Sequence, residues 1–147
     1  MQAKRRSGTP SAANSTSKQP EPVCFFVDES LDSMIVASAL RDAGANIERA
    51  ADHFPKGSLD EVWLTEVGQK GWVVLTRDKR IRYRQLERLA LKSARVRAFV
   101  FIGGNVTMQE TGEILVKALD RMTKIVRAVP GPFIYHLGRS GSPVRMD

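Results

Sequence analysis

The chain has 147 residues, the size of one ordinary domain, and its 42% hydrophobic and 27% charged residues exclude a fibrous or low-complexity protein. No stretch approaches the ~18 consecutive apolar residues of a membrane-spanning helix, and the N-terminus carries basic Lys4, Arg5 and Arg6 without an apolar segment, which argues against secretion. Cys24 is the one cysteine, so there is no internal disulfide and a reducing, cytoplasmic setting is expected, while the formal charge of +7 favours an anionic partner.

Residues 1–21 are rich in Ser, Ala, Pro, Lys and Gln without apolar periodicity, which predicts a disordered basic and polar tail. The folded domain is expected over residues 22–138, with a flexible tail over 139–147. Val23 to Val27 is a continuous apolar run, the pattern of a parallel strand buried on both faces. Leu31, Met34, Ile35 and Ala39 follow at helical spacing, with Gly44 as a stop, and Ala45 to Ala50 reads as a weaker second strand. Ser58-Leu59-Asp60-Glu61 opens the next helix as a capping box with Ser58 at the N-cap. After Gly71 comes a strong strand, Trp72 to Thr76, then a basic helix from about Lys79 to Lys92 and a strand from Arg97 to Ile102. Thr107-Met108-Gln109-Glu110 is a second capping box, opening a long helix that turns Leu115, Leu119, Met122 and Val126 inward. Pro130 lies past its end, and Phe133-Ile134-Tyr135 forms a last strand. Strands alternating with helices predict an α/β fold in three layers, one parallel sheet of about five strands flanked by helices.

Sites in such sheets form at the carboxyl ends of the strands. Asp28-Glu29 follows the first strand, Asp78 follows the third in Thr76-Arg77-Asp78, and Asp60-Glu61 opens the helix between them. Carboxylates gathered from separate elements repel one another and call for a cation, and hard oxygen donors suit Mg²⁺ or Mn²⁺. Taken singly, Asp28 or Ser30 could cap the first helix and Asp78 the basic one. His53 and His136 stand apart from any such group and read as structural or surface residues. Helical geometry favours Asp60 over Glu61. With Leu59, Val62, Trp63, Leu64 and Val67 as the apolar face, Asp60 lies at its margin and Glu61 nearly opposite.

Val27-Asp28-Glu29-Ser30-Leu31, Leu40-Arg41-Asp42-Ala43-Gly44, Ser58-Leu59-Asp60-Glu61 and Val74-Leu75-Thr76-Arg77-Asp78-Lys79 occur in this order, and together they resemble the PIN-like family, in the branch of the VapC-type toxins. The resemblance implies a three-layer PIN-like fold and a metal-dependent endoribonuclease using Mg²⁺ or Mn²⁺, commonly the toxin of a type II toxin–antitoxin pair. Matched by position, it implies Asp28, Asp60 (or Glu61) and Asp78 as catalytic and metal-binding acids, with Glu29, Glu61 and Thr76 as auxiliary candidates. Many PIN domains carry another acid two residues after the third-strand aspartate. Here that residue is Arg80, which leaves a second metal site without support.

From Arg77 to Arg97 nine basic residues face two acids. On one continuous helix, Arg77, Arg80, Arg84 and Arg88 would form a stripe starting beside Asp78, able with Lys79 to hold an RNA backbone or an acidic antitoxin. Tyr83 could stack on a base or pack with Leu86 and Ala90. The expected partners are thus RNA, an acidic antitoxin and, as a candidate assembly, a second copy of the chain. The rival reading is a non-catalytic binding or signalling module, PIN-like or receiver-like. Receiver domains also place acids after strands one and three, but they end strand five with a lysine where this chain has Phe133-Ile134-Tyr135-His136-Leu137.

Overall fold

The computed structural model describes residues 22–146, so the expected N-terminal tail lies outside the described residues. Five strands run parallel: β1 (Cys24–Val27), β2 (Asn46–Arg49), β3 (Val73–Thr76), β4 (Arg97–Phe101) and β5 (Phe133–Leu137). A sixth, β6 (Pro143–Arg145), adds antiparallel to β5, giving the order β2-β1-β3-β4-β5-β6. The helices are α1 (Met34–Asp42), α2 (Ala50–His53), α3 (Asp60–Lys70), α4 (Lys79–Tyr83), α5 (Gln85–Ser93) and α6 (Met108–Ala128).

The period-two alternation of strand side chains divides the apolar residues into two cores. Phe25, Val27, Val73, Leu75, Phe99 and Phe133 turn to one face, where they meet α1 and α6 through Val36, Leu40, Leu115 and Met122. Phe26, Val74, Ala98, Val100 and Ile134 turn to the other, where they meet Leu64 and Val67 of α3 and Leu91 of α5. This is the three-layer arrangement expected, and it explains why the strands read as unbroken apolar runs. Burying each of the four sealed phenylalanines, Phe25, Phe26, Phe99 and Phe133, contributes on the order of 2–3 kcal/mol. Gly112 lets α6 approach α1, because a Cβ there would stand 3.2 Å from the Ala39 methyl.

Several local expectations need correction. The first helix is capped by neither Asp28 nor Ser30 but by Ser33, whose hydroxyl accepts from Val36 N at 3.0 Å. Ser58 closes no capping box: its hydroxyl donates to Pro55 O at 2.5 Å, and Leu59 takes the N-cap of α3. Leu59 and Val62 are exposed, so the buried face of α3 is narrower than expected and rests on Leu64 and Val67. The basic helix is two helices, broken at Arg84, which is extended (φ −118°, ψ 121°). Arg88 satisfies the carbonyls at this break, donating through Nη1 to Ile81 O and Arg82 O at 3.0 Å each. The arginines therefore form no single stripe. Tyr83 and Leu86 are 70% and 78% exposed, which removes the core-packing reading of Tyr83. Finally, the chain after Arg139 is not a loose tail throughout, since β6 pairs with β5 and Met146 N donates to Ile134 O at 2.8 Å. Three residues of edge pairing leave almost no apolar signature, so composition alone could not reveal them. The capping box at Thr107 and Glu110 forms as its sequence predicts.

Candidate functional site

The sheet reverses its order of growth at β1, which lies between β2 and β3, and a crevice opens there beyond the carboxyl ends of the strands. Val27 pairs with Leu75, and Asp28 N extends the ladder by donating to Leu75 O at 3.0 Å. This places the Asp28 side chain beside Thr76, at the mouth of the sheet.

Asp28 is almost fully buried and held by short hydrogen bonds. Its Oδ1 accepts from Ser30 Oγ at 2.6 Å and Ser30 N at 3.1 Å, and its Oδ2 accepts from Thr76 Oγ1 at 2.6 Å. The same two hydroxyls accept from the β3 loop, Ser30 Oγ from Arg77 N at 3.0 Å and Thr76 Oγ1 from Asp78 N at 3.1 Å. Burial pushes the Asp28 carboxyl up to about 6, the Ser30 and Thr76 hydrogen bonds hold it lower than burial alone would, and the charge of Asp78 raises it. Asp28 and Asp78 are therefore electrostatic neighbours, linked through Thr76. The role of Ser30 was missed from the sequence. The available signal was the Asp-Glu-Ser triplet itself, since an aspartate can bond the backbone two residues on.

Asp78 caps α4, accepting from Arg80 N at 2.9 Å. Arg80 Nε lies 3.1 Å from both Asp78 oxygens, its Nη2 lies 2.6 Å from Asp78 Oδ2, and the same Nη2 reaches Asp60 Oδ2 at 3.1 Å. Burial would raise the Asp78 carboxyl, but the Arg80 hydrogen bonds and the charges of Arg80 and Arg84 outweigh it and hold the group below the usual carboxylate range. Asp60 Oδ1 accepts from Trp63 Nε1 at 3.1 Å.

Asp28, Asp60 and Asp78 line one open cleft of about 770 Å³, together with Arg77, Lys79 and Arg80. Glu29 borders it and accepts from Gly57 N at 2.9 Å, tying down the loop before α3. Glu61 is exposed and does not line the cleft, and without the Ser58 box it has no capping role. Of the expected RNA-binding residues, Arg77, Lys79 and Arg80 reach the cleft. Arg84 lies near enough to act on Asp78 by charge, and Arg88 is turned back to the break between α4 and α5. His53 bonds Glu48 at 2.6 Å, apart from these acids.

Among the described residues no three His, Cys, Asp or Glu side chains converge as a group able to hold a metal ion. The donor chemistry, all carboxylate oxygen, suits a hard divalent cation. The arrangement does not, because Arg80 stands between Asp60 and Asp78 and the Asp28 oxygens are engaged by Ser30 and Thr76.

Comparison with known proteins agrees with this architecture. Residues 23–103 match the family described as PIN like domain. The chain is 27% identical over 115 residues to "Putative ribonuclease VapC45" of Mycobacterium tuberculosis (strain ATCC 25618 / H37Rv), covering 76% of this chain and 83% of that protein. No solved structure matches significantly. The family match covers β1 to β4 and the three aspartates between them, so this chain belongs to the PIN-like domain family, with a VapC-type protein among its relatives.

Proposed function

We propose that the protein is an endoribonuclease that hydrolyses RNA phosphodiester bonds in the cleft at the ends of β1 and β3, and that it serves as the toxin of a type II toxin–antitoxin pair. The observation that carries the reading is the meeting of Asp28, Asp60 and Asp78, from three elements, with Arg77, Lys79 and Arg80 in one cleft. Guanidinium and ammonium groups beside the acids would hold the backbone phosphates, and an unpaired strand suits an open cleft. Asp28, buried and titrating near 6, is ionised at neutral pH yet close to its midpoint, as suits a group that exchanges protons with a reacting water.

Mg²⁺ or Mn²⁺ belongs to this reading on the chemistry of the donors, and such an ion supplies Lewis acidity and an activated water to phosphodiester hydrolysis. Arg80 occupies the place between Asp60 and Asp78 that such an ion would need. The toxin role and an acidic antitoxin covering the basic flank rest on kinship with the VapC-type relative, a cytoplasmic setting rests on the lone Cys24, and a homodimer is the candidate assembly. Among the described residues no helix is long and apolar enough to cross a membrane.

The Arg80 bridge favours a second reading, a PIN-like domain that binds RNA without cutting it. Incubating the full chain with single-stranded RNA, with Mg²⁺ or Mn²⁺ and with EDTA, separates the two. The nuclease reading expects internal cleavage that EDTA stops and that Asp28→Asn and Asp78→Asn each abolish. Binding without cleavage under every condition selects the second. Growth arrest on expression, reversed by a neighbouring gene product, tests the toxin role separately.

A further inference from the structure

We propose that Arg80 is the resident cation of the acidic cleft: in the free protein its guanidinium fills the place between Asp60 and Asp78, so that a divalent metal binds there only by displacing it. The sequence puts Arg80 two residues after Asp78, at the second position of α4. Capping draws its backbone N–H to Asp78 Oδ1 at 2.9 Å, which fixes where the side chain starts. The side chain then folds back instead of extending outward. Nε sits 3.1 Å from both Asp78 oxygens, and Nη2 joins Asp78 Oδ2 at 2.6 Å to Asp60 Oδ2 at 3.1 Å on the facing helix α3.

One fixed positive charge is thus shared by two carboxylates, the task a metal ion would otherwise perform. Arginine cannot give up this charge by deprotonation near neutral pH, so only competition moves it. A divalent ion must break the contacts from Nε and Nη2 and gather oxygens at about 2.1 Å if it is Mg²⁺. Asp28 offers little help while its oxygens are held by Ser30 and Thr76. The bridge is open to exchange from the other side, because the Arg80 side chain is 46% exposed and faces the cleft. A phosphate is the anion best matched to an arginine fork. A phosphodiester that took Arg80 would return both carboxylates to an uncompensated state, and their affinity for a cation would rise. Linkage then requires the metal to strengthen phosphate binding by the same factor.

The proposal concerns the cleft of the nuclease reading, but it is tested by metal binding instead of turnover, so either can fail alone. Mn²⁺ binding to the full chain is measured by calorimetry and by the electron paramagnetic resonance of free Mn²⁺, for the wild type, Arg80→Gln, and Arg80→Gln combined with Asp78→Asn. The expected result is Mn²⁺ affinity about tenfold or more higher in Arg80→Gln than in the wild type, within the usual range of coupling between sites. The gain should vanish in the double variant. Equal affinity in wild type and Arg80→Gln overturns the proposal, as does a gain that survives loss of Asp78. Should Arg80→Gln fail to fold, the wild type still gives an answer through the ¹⁵N signal of the Arg80 Nε–H. Displacement predicts that this signal is protected in metal-free buffer and loses protection as Mg²⁺ saturates. Saturation that leaves it protected refutes the idea. If RNA is never cut but these results hold, the nuclease reading fails and the internal cation stands.

Discussion

Replacing Asp28 with Asn removes a charge from a place where the fold disfavours it, so the variant should be more stable than the wild type at neutral pH although it carries a damaged site. The carboxyl titrates near 6 in the folded protein against an ordinary value of 3.8, chiefly because of burial. At about 1.4 kcal/mol per unit, two units are a penalty of about 3 kcal/mol on the ionised folded state. The sign follows from proton binding. Below pH 4 the group is protonated in both states and costs nothing. Between pH 4 and 6 the unfolded chain has released its proton while the folded chain keeps it, so stability falls as pH rises. Above 6 the full penalty is present. Asn retains the acceptor for Ser30 but presents an amide N–H₂ to Thr76, which must turn its hydroxyl to accept. That loss reduces the expected gain to about 1–3 kcal/mol at pH 7. Urea unfolding of both proteins in EDTA buffers from pH 4 to 8 measures the difference, and other titrating groups cancel in it. The advantage of Asn should be about 2 kcal/mol smaller at pH 4 than at its plateau near pH 7. A difference that does not vary with pH, or an Asn variant less stable at pH 7, refutes the argument. If stability rises while cleavage disappears, the buried charge is kept for function and not for the fold.

Thr76→Val removes the hydroxyl that donates to Asp28 Oδ2 and accepts from Asp78 N. It should cost about 1–3 kcal/mol and shift the Asp28 titration upward, followed by ¹³C NMR of its carboxyl; an unmoved or lowered midpoint contradicts the hydrogen-bond account. Glu61→Ala should change stability by less than about 0.5 kcal/mol and leave cleavage intact. Asp60→Ala should abolish cleavage and cost about 1 kcal/mol through loss of the Trp63 and Arg80 contacts. Paired thermal midpoints and rates decide between these acids, and a dead Glu61→Ala with an active Asp60→Ala reverses the assignment. In α3, Gly68→Ala would put a methyl 2.1 Å from Ala94 O. It should therefore destabilise by about 1–3 kcal/mol despite alanine's better helix propensity, and a raised thermal midpoint would show that the α3–α5 packing yields easily.

Asp28 and Asp78 could be located in the sequence because a parallel strand announces its own end. Val23 to Val27 and Trp72 to Leu75 are apolar throughout, and the first acid after each falls at the carboxyl edge of the sheet. The box at Thr107 was legible for a similar reason, since its donors and acceptors lie within four residues. The box at Ser58 had the same Ser/Thr-x-x-Glu pattern and failed, because Pro55 O competes for the hydroxyl and the helix begins one residue later. Asp60 lines the cleft and Glu61 does not, although Leu59 and Val62, part of the apolar face that separates them by helical geometry, are exposed.

Patterns only a few residues long set the alternation of elements, the two-sided burial of the strands and the acids at their ends. The pairing of the charged and polar groups at the site depends instead on residues far apart in the chain. The hydroxyl of Thr76 meets Asp28 across 48 positions and outbids solvent for its carboxylate. The break at Arg84 is stabilised when Arg88 reaches back to the carbonyls of Ile81 and Arg82, which turns an apparent arginine stripe into two short helices. Arg80, which by spacing alone was a missing acid and a phosphate contact, meets Asp60 across 20 positions only once α3 and α4 face each other over the end of β3. A one-dimensional pattern records which charges are present, but their pairing is set by distances of about 3 Å that exist only after the sheet has brought the elements together.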